Sequence, residues 1–382
     1  MESQTLIQGQ HECVLKTTSF LLVKKTKKGY LEKISTEPAG TQHNRIYAIQ
    51  NLEKFILAEY AKTVENVVDE LHWIKKQDED QYFDSLYDLL QKWINWNEKT
   101  AIGNYTIRAL FSNVRKYLYY LGIKTDIQDI KENLRFGKKV QEERHPLSQK
   151  EYRAIIDGFA TNPRRQALFL ALGSSGMRIG EALRLRKKDL DLTTKRIKVN
   201  ISAESKTKQG RSTFISKEAE EKLRPILAKL HPNDLVFSRS GGVADPVNEC
   251  AALKMLLKKL GMDERYDSNQ HHKITTHSFR AYFFTKAARK HGENYAHRMT
   301  GHGGYLIQYD RITEDEKLNM YLELEPDLMI YDQTKNELEI TRLKKENEII
   351  GELQAQINKL KDEQTNQEKV FLDKLRKEGI IQ

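Results

Sequence analysis

Between Asn44 and about Phe136, apolar residues recur every three or four positions: Ile46, Ile49, Leu52, Phe55 and Ile56, then Val67, Leu71 and Ile74. The pattern continues through Leu86, Leu89, Leu90 and Ile94 to Ile107, Leu110, Val114, Leu118 and Leu121. Spacing near 3.6 gathers each set on one face of a helix, so residues 44–136 are expected to form an all-helical unit of four or five helices. The stretch "FGKKVQEERHPLS" breaks the period with charge and Pro146, and 137–146 reads as a linker. Beyond it, Ser148 with Glu151 three residues on is a capping box opening a helix. "RRQALFLALGSSG" gives a second helix, which breaks between Gly173 and Gly176. Residues 196–202 and 211–216 then alternate as two strands joined by a Lys-rich hairpin, after which the helical period returns. The expected fold is mainly α with a small β-sheet, the second domain spanning 147–332.

The two ends read differently. Residues 1–43 mix β-branched groups with Lys-rich turns, which predicts a small strand-containing or partly ordered arm. Residues 333–382 turn to Glu, Lys, Gln and Asn, and there Leu343, Ile350 and Ile357 fall at heptad position a with Leu353 and Leu360 at d. This predicts a helical tail with a short coiled-coil seam that helps protomers associate.

Composition narrows the partner. The 64 Lys and Arg against 54 Asp and Glu leave a net charge of +10, which favours a polyanion, and clusters such as "KKTKKG" and "RLRKKDL" point to nucleic acid. In the last strong helix of the first unit, Arg108, Arg115 and Lys116 stand among Tyr117, Tyr119 and Tyr120, a composition suited to lying on a phosphate backbone. No apolar run approaches the ~20 residues that cross a bilayer, and the first residues lack a secretory pattern, so the protein is expected to work in the cytoplasm, at the nucleoid. Cys13 and Cys250 are far apart and in no C-x-x-C pattern, so both read as reduced thiols.

Three stretches carry candidate chemistry. In "GSSGMRIGEALRL", Arg178 opens a helix with its guanidinium free for a cleft, although pairing with Glu181 as a structural arginine fits equally well. In "SAESKTKQGRSTFIS", a lysine on a flexible hairpin is able to reach into a groove and deliver a proton or a charge. In "THSFRAYFF", His277 and Arg280 stand three apart and share a helix face. Histidines at 271, 272, 277, 291, 297 and 302 raise a metal site, but no H-E-x-x-H or Cys pattern supports one, and no cofactor is expected. Together these groups suit attack on a phosphodiester by a protein hydroxyl. Two arginines and a histidine would stabilise the extra charge of the phosphorane, a lysine would protonate the departing oxygen, and a tyrosine would be the nucleophile.

On these motifs, residues 44–332 resemble the tyrosine recombinase (phage integrase) family. "GMRIGEALRL" matches the first-arginine motif G-x-R-x-x-E at Arg178, "SKTKQGRSTFIS" matches the hairpin at Lys206, with Lys208 competing, "HSFR" gives His277 and Arg280, and "TGHGG" gives His302. The commoner pattern has a tyrosine about nine residues after the second histidine, where this chain has Arg311. Tyr309, seven after His302, is the nucleophile the resemblance favours, because "YDRITEDEKLNMYLELEPDL" looks like the archaeal branch; Tyr305 and Tyr321 are the alternatives. The resemblance implies a core-binding domain and a catalytic domain forming a C-shaped clamp on duplex DNA at attachment sites. It also implies a 3′-phosphotyrosyl intermediate needing neither metal nor ATP, and four protomers acting on two duplexes. The expected activity is integration or excision of a mobile element. Relaxation like that of a type IB topoisomerase, and a DNA-binding protein without catalysis, are the competing readings.

Overall fold

The computed structural model describes residues 24–100, 102–138, 142–202, 210–242, 244–301 and 311–377. The chain divides into two compact units, Met1–Glu142 with Asp267–Gln270, and Glu143–Tyr266 with His271–Gln382.

Six helices are described in the first unit: α1 (Lys27–Ile34), α2 (Ala39–Tyr60), α3 (Val64–Gln77), α4 (Glu79–Glu98), α5 (Asn104–Tyr120) and α6 (Ile127–Asn133). Short polar side chains start several of them, with Thr26, Thr63, Asp78 and Asp126 each accepting a backbone N–H of the first turn. Two expectations change here. The arm over 1–43 is helical from Lys27, and its Tyr30 and Ile34 are buried against Tyr117 of α5, whose ring lies 5.0 Å from that of Tyr30. The period was invisible because α1 is only eight residues long and drives just those two residues inward. The basic-aromatic face of α5 is also reduced. Tyr117 is fully buried with its hydroxyl directed at Glu65, Arg108 covers the Phe136 ring, and Arg115 is bound to Thr125, which leaves Tyr119 as the exposed ring of the three tyrosines 117, 119 and 120.

The second unit is organised around α8 (Pro163–Ser175), whose residues from Gln166 to Ser175 are all buried. A helix apolar on every side must be surrounded, and α7 (Gln149–Gly158), α10 (Lys217–Leu227), α12 (Thr276–His291) and α14 (Glu314–Leu328) pack against it. The Ser148–Glu151 capping box opens α7 as expected. After α8 come α9 (Ile179–Ala182) and a three-stranded antiparallel sheet in order β1-β2-β3: β1 (Leu190–Asp191), β2 (Lys198–Ile201) and β3 (Arg211–Phe214). Val199 of β2 faces Thr213 of β3. The two-residue β1 is too short to leave an alternation in sequence. The remaining helices are α11 (Ala244–Lys259), α13 (Glu293–Thr300) and α15 (Asp332–Lys377). Arg144 and His145, read from sequence as linker, pack in this unit: the His145 backbone N–H donates to the Tyr266 hydroxyl at 2.7 Å, and the Arg144 guanidinium lies over the same ring.

Candidate functional site

The turn after α8 is the scaffold of the site. Gly176 takes a left-handed φ of 65°, and a Cβ there would meet Phe283 at 2.6 Å and Thr300 at 2.8 Å, so only glycine lets α8, α12 and α13 approach this closely. Met177 and Arg178 follow directly, and Arg178 is the N-cap of α9.

Glu181 is the hub. It is buried, accepts the Arg178 backbone N–H at 2.8 Å and side chain at 3.0 Å, and forms a 2.6 Å ion pair with Arg211 at the start of β3. Burial alone would raise its carboxyl pKa, yet the hydrogen bonds and charge of Arg211, with those from Arg178, hold it below the usual carboxylate range. Arg211 also donates through Nε to the Met299 carbonyl at 3.1 Å, tying β3 to the end of α13. The pairing with Glu181 expected of a structural arginine is present, and the Arg178 side chain stays about a quarter exposed.

Arg280 is more deeply placed, at 2% exposure. It donates to the carbonyl of Gly176 and, at 2.6 Å, to that of Thr300, so it joins the C-terminal ends of α8 and α13. Among the described residues its Nε has no partner. Burial, then the positive charges of Arg178 and Arg211, push the guanidinium down to about 9, which still leaves it cationic at neutral pH. Like charges held this near one another stabilise the protein poorly and an arriving anion well.

His277 stands one helical turn before Arg280, exposed at the surface near the start of α12, where Thr275 caps the helix. Partial desolvation, followed by the charges of Arg280, Arg178 and Arg144, lowers its pKa, so the imidazole is neutral near pH 7. Arg144 and Arg211 are the cations that sequence reasoning missed. Arg144 was hidden in an apparent linker, whereas Arg211 carried a signal, an arginine at the first position of a strand otherwise of Ser, Thr and Phe.

The structure brings Arg178, His277 and Arg280 together. Lys206 and Lys208, and likewise His302, Tyr305 and Tyr309, lie outside the described residues. Tyr321 is corrected: it is fully buried in α14, its hydroxyl donates to the Ser174 carbonyl at 2.9 Å, its ring packs on Phe214, and burial carries its pKa well above the ordinary phenol value. A phenol so placed is a core residue and not a nucleophile. His291 and His297 are also structural, the first 2.8 Å from the Met320 carbonyl and the second edge-on to Phe284.

Residues 145–303 match the phage integrase family. Among solved structures, the chain is similar to XerA recombinase at 19% identity and a TM-score of 0.36, over 73% of this chain and 98% of that one. It is similar to a lambda integrase dimer bound to a COC′ core site at 14% identity and a TM-score of 0.48, over 75% and 97%. It is also similar to the Tn1549 transposon integrase in complex with circular intermediate DNA at 16% identity and 0.44, over 71% and 97%. No curated protein sequence matches the chain.

Proposed function

The chain carries a phage integrase family domain over residues 145–303, and from that premise we propose that it is a site-specific DNA recombinase that cuts and rejoins duplex DNA through a phosphotyrosyl intermediate. The observation that carries this reading is the convergence of Arg178, Arg280 and His277 around the Gly176 turn, where Glu181 holds one guanidinium, main-chain carbonyls hold the other, and the imidazole beside them is neutral. A scissile phosphate at that point would meet both arginines, whose attraction grows as its non-bridging oxygens gain charge in the phosphorane.

In this mechanism the phenolic oxygen of Tyr309 attacks phosphorus, and the bond to the 5′-oxygen breaks. Lys206 gives its proton to that leaving oxygen, and neutral His277 is able to take the phenolic one. His302 assists the charge that develops on the phosphate. The product is a 3′-phosphotyrosine and a free 5′-hydroxyl, and reversal onto a second strand joins new partners without an energy source. The partner is double-stranded DNA at attachment sites, gripped by the catalytic unit and the helical unit of residues 44–136. Four protomers act on two duplexes to integrate or excise a mobile element.

A nicked suicide substrate tests this. The expected result is a covalent protein–DNA adduct that Tyr309→Phe abolishes, with the linked peptide containing Tyr309. An adduct that survives Tyr309→Phe overturns the nucleophile, and no adduct from the parent chain on any attachment-site duplex overturns the reaction.

A further inference from the structure

We propose that a second copy of this chain docks along the apolar seam of α15 as a parallel, two-stranded coiled coil, pairing protomers in the absence of DNA. This stands independently of the recombinase reading. The start of α15 belongs to its own unit: Arg153 binds the Ile330 carbonyl and Asp332, Lys217 pairs with Glu337, and a groove between the helices runs from Lys290 and Asp327 to Arg342 and Glu346. Past Glu346 the hydrogen bonds among described residues stay within the helix, from Thr365 to the Lys361 carbonyl and from Gln364 to Glu368. Beyond that point the helix presents Ile349, Ile350, Leu353, Ile357 and Leu360 with 50 to 64% of each exposed. Five large aliphatic groups in one row are a cost to a lone helix and not a surface for phosphate.

The residue types select the occupant. Ile350 and Ile357 occupy position a, and Leu353 and Leu360 occupy d, the combination that favours two parallel strands, since β-branched a and γ-branched d side chains fit the holes of that geometry. In the parallel register, the flanking g and e positions set Ile349 against Gln354 and Gln356 against Lys361 of the other copy, so no like charges meet beside these four layers. Leu343, one heptad earlier, lines the groove against its own unit, so the seam begins after Glu346, which is bound by Arg342 of its own helix at 2.8 Å.

The test uses the full-length chain without DNA, with Cys13→Ser and Cys250→Ser, in sedimentation equilibrium over a wide concentration range. A concentration-dependent dimer is expected, and Ile350→Glu with Ile357→Glu should shift it to monomer while leaving the domain's thermal unfolding unchanged. In the same background Ile357→Cys should form an interchain disulfide with itself on oxidation. A monomer at every concentration, or a dimer indifferent to the two glutamates, overturns the docking. Cross-linking only when Leu353→Cys and Ile357→Cys chains are mixed overturns the parallel register.

Discussion

Each unit buries a set of polar groups, and the two sets are finished differently. In the helical unit, Asn51 donates to Asn97 at 2.8 Å, Trp93 donates through its indole to Asn51 at 2.9 Å, and Asn97 donates to the Trp93 carbonyl at 2.9 Å. Every group there is neutral, and each side chain closes on another of the three. In the second unit, Arg280 is as deeply buried, yet it carries charge, is pushed down by Arg178 and Arg211, and keeps an Nε without a described partner. A closed polar network specifies packing, whereas an incomplete charged one stores an unmet demand for an anion.

Substitutions separate the two. Trp93→Ala should have the largest effect on stability, a loss of about 3–5 kcal/mol for a buried aromatic, read as denaturant unfolding of the chain. Arg280→Ala should do the reverse, lowering the adduct-forming rate by roughly 10²–10³ or more with DNA binding nearly intact; an equal loss of binding would make Arg280 a docking residue. Arg178→Ala should follow the same pattern, so a binding curve measured beside the adduct assay checks both. Asn97→Leu should be milder, costing about 1–3 kcal/mol by leaving the Asn51 amide without its acceptor, with the adduct rate per folded molecule unchanged.

The smallest effect is expected from His277. Its folded pKa lies below the unfolded value near 6.5, so the unfolded chain binds the proton first. Stability from this group is full above that value and falls away as pH drops through it towards the folded pKa. The parent should therefore lose thermal stability relative to His277→Asn as pH drops below 6.5, and a parent that gains on the variant on acidification would reverse the sign. Glu218 behaves oppositely. Burial raises its carboxyl to about 7 although it accepts the Ile330 and Tyr331 N–H groups, so its contribution is present below pH 4.5 and is lost as pH climbs to about 7.

What could be read in sequence follows from what leaves a period. The helices α2 to α5 repeat their apolar spacing several times and were legible, as were the Ser148 capping box and the strands β2 and β3. The eight residues of α1 and the two of β1 are too short to repeat anything. In the site, Arg178, His277 and Arg280 stood out because their motifs are local. The salt bridge from Arg211 to Glu181 spans thirty positions, and the influence of Arg144 on His277 spans more than a hundred, and neither distance has a signature in one chain. Tyr321 misled because a tyrosine's burial is decided by its partners, here Ser174 and Phe214.

The hold of β3 on its neighbours has a further consequence. Arg211 grips the Met299 carbonyl and lies against Gly301, while the next residue, Ser212, binds Glu314 at the start of α14, where Lys198 and Lys317 keep that carboxylate ionised down to about pH 2. Chain entering and leaving residues 302–310 is thus moored to adjacent positions of a single post. A substitution in β3 therefore bears on both flanks of that segment together, Met299 to Gly301 before it and Glu314 after it.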